Sequence, residues 1–133
     1  MEETFLCFES DAALFLVPLG LVYHIAPGKA RSGSVYMDKD AEVPVIPACR
    51  LWGGKDSGDG EYIVLLYGTD GLQGLLVPNV LGVYPVDSRE GLKIPEEARG
   101  EHNLCLKKAV FLKALDRWAF ILDERMILDT KGL

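Results

Sequence analysis

With 133 residues, the chain has the length of one globular domain and can bury a core without disulfide or metal staples. Its composition, 49% hydrophobic and 26% charged, is that of an ordinary folded protein and excludes a disordered tail or a fibrous repeat. With 20 acidic against 14 basic residues the formal net charge is -6, which lacks the footprint for a phosphate backbone, so no nucleic-acid partner is expected.

Short runs rich in Val, Leu, Ile and Tyr, each closed by Gly, Pro or Asp, predict strands over 4–8, 14–19, 21–25, 33–37 and 43–46. A stretch over 53–60 with four glycines in eight residues follows, and reads as a loop or a seam between sub-barrels. Beyond it, runs over 62–67, 72–77, 80–86, 104–112 and 118–122 complete an all-β pattern. Gly68-Thr69-Asp70-Gly71 is a tight hairpin turn whose Asp-Gly step supplies the positive φ such turns need. Both flanking strands are apolar at nearly every position rather than alternately. Both of their faces should therefore be covered, as in the wall of a small barrel packed against a second sheet. Pro44, Pro47, Pro78 and Pro85 cannot donate to a ladder and belong at edges, bulges or strand starts. Helix signals are confined to one turn over 95–98 and a short C-terminal helix that Asp123 would cap.

Chemistry-bearing residues are sparse. His24, beside Tyr23 on an apolar strand, reads as satisfied by backbone, and His102 as an exposed loop residue near Cys105. No close Cys/His pair suits zinc, Asp56, Asp59 and Glu61 miss the calcium-loop spacing, and Gly54-Lys55 lacks the rest of a phosphate loop. No metal, cofactor or catalytic residue is therefore assigned. Asp123, Glu124 and Asp129 are accounted for by helix capping. Trp118 opens an apolar strand and is placed in the core, whereas Trp52, ahead of the glycine-rich stretch, suits a partly exposed interface.

Cys7, Cys49 and Cys105 are an odd number without close spacing, which fits reduced thiols in a cytoplasmic protein. The acidic start Met1-Glu2-Glu3 is the opposite of a basic signal-peptide leader. No apolar run approaches the roughly 20 residues of a membrane span, so no direct membrane insertion is expected. The initial methionine and the terminal strands lead to the expectation of a domain that stands alone.

Leu19-Gly20-x-x-Tyr23-x-Ile25, then Gly33-Ser34-Val35-Tyr36-Met37 leading to Val43-Pro44-Val45-Ile46, resembles the first half of a CheW-like domain. Tyr62-Ile63-Val64-Leu65 followed by Gly74-Leu75-Leu76-Val77-x-x-Val80-x-x-Val83 is similar to the hairpin of that family's second barrel. Phe120-Ile121-Leu122-Asp123 before Met126-Ile127-Leu128 is similar to its closing strand and short helix. The order and spacing of these pieces over residues 13–128 carry the resemblance.

It implies two packed small SH3-like β-barrels with a short C-terminal helix, in one domain over 1–133 with a seam near 53–60. It also implies a non-catalytic adaptor that couples the cytoplasmic tip of a chemoreceptor to the regulatory domain of a histidine kinase. Asp38-Lys39-Asp40 stands where the family carries Arg-Gly, and Leu21 or Val22 where it carries an acid, so a charge pair common in the family is absent. Apolar residues on barrel edges and in the groove between barrels are the expected partner-binding surface. Its candidates are Val35, Pro44, Val45, Leu76, Val77, Val80 and Leu81. The alternative from another class is a small β-barrel enzyme or ligand binder with a Cys105/His102 cleft. A third is a barrel that self-associates through its edge strands.

Overall fold

The computed structural model describes residues 2–10, 13–48, 60–68, 71–87, 92–93 and 106–122. Trp52, the glycine-rich stretch up to residue 59, the turn over 95–98, His102, Cys105 and the expected helix from Asp123 lie outside them. The strands are β1 (Glu2–Ser10), β2 (Ala13–Pro18), β3 (Val22–Pro27), β4 (Val35–Asp38), β5 (Ala41–Pro47) and β6 (Tyr62–Gly68). They continue with β7 (Gly71–Val77), β8 (Asn79–Asp87), β9 (Leu92–Lys93), β10 (Leu106–Leu112) and β11 (Arg117–Leu122). Each run expected from the sequence forms a strand. Only β9 has no counterpart among them, because two residues carry no periodicity.

One sheet has the order β8-β1-β2-β11-β10-β9 and the other β3-β6-β7-β5-β4. Each contains one parallel pair, β2 with β11 and β5 with β7, which brings together strands far apart in the chain. The two sheets curl and pack as two small barrels, and the Tyr23 hydroxyl on β3 donates to Asp38 Oδ2 on β4 at 3.2 Å, tying the two edges of the second sheet together. Residues 53–59 of the expected seam lie outside the described residues, and the strands on either side of them, β5 and β6, belong to the same sheet. The chain crosses between the two sheets at the 3₁₀ turn Leu19–Leu21 and at Pro78. Strand pairing distant in sequence, not loop composition, sets that boundary.

Three apolar cores explain why so many strands are apolar on both faces. Phe5, Cys7, Leu14, Leu16, Ala119 and Ile121 fill the first barrel. Ala26, Val43, Val45, Ile63 and Leu65 fill the second. Between the barrels lies a third core holding Leu6, Phe8, Phe15, Val17, Val64, Leu66, Leu75, Val77 and Leu122. Successive residues of a strand point to opposite faces, so Ile63 and Leu65 of β6 enter the second barrel while Val64 and Leu66 enter the core between barrels. Strands β1, β2 and β11 divide their side chains in the same way. Strand β8 switches faces at a bulge: Cys7 lies opposite Gly82 and Phe8 opposite Val80, with Leu81 the extra residue and Gly82 at φ 139°. Val80 therefore packs on the core between barrels, and Leu81 and Tyr84 on the interior of the first.

Candidate docking surface

The seven residues expected at a partner surface fall into several environments. Pro44 on β5 is exposed, and Val35 of the edge strand β4 lies opposite it in register, half-buried. Leu76 is half-buried on the rim of the second barrel, while Val45 is only 4% exposed inside it. Val77 is fully buried in the core between barrels. Val80 and Leu81 are half-buried on β8, at one edge of the first sheet. Val45 and Val77 thus underlie the surface, and exposed Pro44 with half-buried Val35 beside it reaches the surface of the second barrel.

Exposed aromatic surface lies elsewhere. Phe111 on β10 and Trp118 on β11 are 44% and 51% exposed, opposite each other in register, with ring centroids 5.6 Å apart and planes at 65°. This edge-to-face arrangement suits aromatic quadrupoles. The placement of Trp118 in the core is corrected. Trp118 shares a face with Phe120 and Leu122, but burial along that face declines from Leu122 in the core to the open Trp118 near the turn. Parity alone does not signal this: Ala119 and Ile121 take the barrel interior, and Trp118 falls on the face of Leu122, at the end where that face runs out of cover.

Beside the pair, Tyr84, Pro85 and Lys113 help to line a cleft of about 410 Å³ between the end of β8 and the β10–β11 turn. Arg117 Nη1 meets Glu9 Oε2 at 2.9 Å, an exposed ion pair that ties β11 to β1. Such a pair contributes little stability. On the second barrel, Met37 and Tyr67 are 52% and 50% exposed. The Tyr67 ring stands edge-on to Tyr23 at 5.6 Å. The hydrogen bond to Asp38 and the charge of that carboxylate raise the Tyr23 hydroxyl above its ordinary value of 10.0.

The reading of His24 is also corrected: it is exposed, with only its ring edge against Tyr23 at 6.5 Å centroid separation. Cys7 is a free thiol inside the first barrel, where burial pushes its pKa up to about 11. Such a thiol is inert rather than activated. The Cys105/His102 pair of the enzyme alternative lies outside the described residues. Among the described residues, no three His, Cys, Asp or Glu side chains gather to hold a metal ion, and no helix is long and apolar enough to cross a membrane.

No protein-family model and no curated protein sequence matches the chain. Among solved structures, the chain is similar to the scaffolding protein TtCheW from Thermoanaerobacter tengcongensis, with a TM-score of 0.79 at 15% identity. The match covers 100% of this chain and 97% of that one. Two curled sheets in this order, sharing a core between them and superimposing along their whole length on that protein, give the chain the fold of a CheW-like domain.

Proposed function

We propose that the chain is a non-catalytic adaptor of a bacterial chemosensory complex, working in the cytoplasm and coupling a chemoreceptor tip to the regulatory domain of a histidine kinase. The observation that carries this reading is the full-length likeness to a scaffolding protein. An adaptor must hold two partners at once, and each barrel offers apolar surface: Val35, Pro44 and Met37 on the second, Phe111 and Trp118 on the first. Exposed aromatics beside a cleft are the residue type that anchors protein interfaces. Half-buried Leu76, Val80 and Leu81 would lie at the margins of such contacts, with Val45 and Val77 supporting them from beneath.

Calorimetric titration with the barrel-type regulatory domain of a histidine kinase from the same genome, and separately with a receptor-tip fragment, tests the proposal. Micromolar binding of at least one partner is expected. Pro44→Glu and Trp118→Ser, both at exposed positions, should each weaken binding at least tenfold for the partner that uses their barrel, with an unchanged circular dichroism spectrum. Binding to neither partner by the folded protein would refute the adaptor role.

A further inference from the structure

We infer that the mouth of the second barrel holds a binding site for a small organic oxyanion, a function separate from the adaptor surfaces. A cleft of about 680 Å³ opens where the end of β3 and the turn after it meet the start of β6. That volume lies within the range of small-molecule sites, about 300–1,000 Å³. Its walls combine an apolar side, Ile25, Pro27 and Tyr62, with two cations, Lys29 and Arg31, and a single acid, Glu61. Two cations converging on one cleft stand out in a chain whose net charge is -6.

Arg31 supplies the sharper argument. Its Nη1 donates to the Gly33 carbonyl at 2.7 Å, which fixes the guanidinium from one side. Its Nε is buried and has no hydrogen-bond partner. A buried donor left unpaired is costly, and Nε–H with the adjacent Nη2–H forms the fork that grips a carboxylate or phosphate in two parallel hydrogen bonds. The anchor on Gly33 is made by Nη1, which is not a member of that fork. Arg31 lines the cleft together with Lys29, whose ammonium is a second point of positive charge there.

The cleft is also built rigidly. The Gly28 N–H donates to the Glu61 carbonyl at 2.8 Å, and a Cβ on Gly28 would come within 2.1 Å of the Gly60 carbonyl oxygen. The two backbone segments therefore cross at a distance that only glycine permits, and this crossing holds the cleft floor in place. The ligand class that follows is a small molecule with a carboxylate or phosphate head on Arg31 and Lys29 and an apolar body against Ile25, Pro27 and Tyr62.

Titration of the isotopically labelled full chain with phenylacetate, phenyl phosphate and neutral phenylacetamide, at constant ionic strength, tests this by amide chemical shifts. At least one of the two anions should shift the amides of Gly28, Gly60 and Tyr62 saturably and bind at least tenfold more tightly than the amide. The tighter anion identifies the head group. Arg31→Met should weaken binding at least tenfold, and Lys29→Gln, at an exposed position that leaves the fold intact, several-fold. No saturable shift with either anion, equal affinity for the amide, or unchanged affinity in Lys29→Gln would overturn the site.

Discussion

Lys39 and Asp40 occupy the two-residue turn between β4 and β5 with φ of 49° and 73°, so Asp38 pairs directly with Ala41. Both dihedrals are left-handed, the requirement of a type I′ turn, and a lysine there is strained because its Cβ crowds the backbone. The double variant Lys39→Asn, Asp40→Gly should raise stability by about 1 kcal/mol, read as a higher urea midpoint at unchanged slope. Cys7 poses a different residue-scale question. Its thiol is raised from 9.0 to about 11, first by burial and further by Glu9, with Arg117 opposing. Because the folded value lies above the unfolded one, this group favours folding below pH 9 and that contribution disappears as the pH rises through about 11. The native protein should leave Cys7 unmodified by iodoacetamide at pH 8, with labelling of its peptide appearing in urea. Rapid native labelling would contradict its burial.

At the scale of elements, the glycine crossing closes the second barrel. Gly28→Ala would drive a methyl group into the Gly60 carbonyl, a backbone atom that cannot step aside. This substitution should cost more than about 2 kcal/mol, seen as a lowered thermal midpoint. The double-sided strands were legible from residues alone: Ile63, Val64, Leu65 and Leu66 leave no polar face, so β6 had to be covered twice. Trp118 was not legible as a surface residue, because hydrophobicity names what can be buried and not which face runs out of cover. The same limit applies to Val45 and Pro44, neighbours in one strand. The pattern marks both as β-strand residues near an edge, yet pleat parity buries one and exposes the other.

The whole molecule depends on the core that the barrels share. Leu66 is fully buried there, contributed by the second sheet, and Leu66→Ala should cost about 3 kcal/mol as a cavity opens between the sheets. Because that core belongs to both barrels, the variant should still unfold in one cooperative transition, with calorimetric and van't Hoff enthalpies in agreement. Two separate transitions would show barrels stable on their own. The sequence by itself determined the strand content, the turn chemistry and the two-faced burial of β6 and β7, since these follow from local periodicity and from glycine, proline and aspartate at fixed offsets. Tertiary structure alone decided which strands share a sheet. The parallel pairs β2–β11 and β5–β7 join segments far apart in the chain, and no local pattern encodes that partnership. It therefore also decided where the barrels meet, and that Phe111 and Trp118, apolar like the core residues beside them, end on the open face.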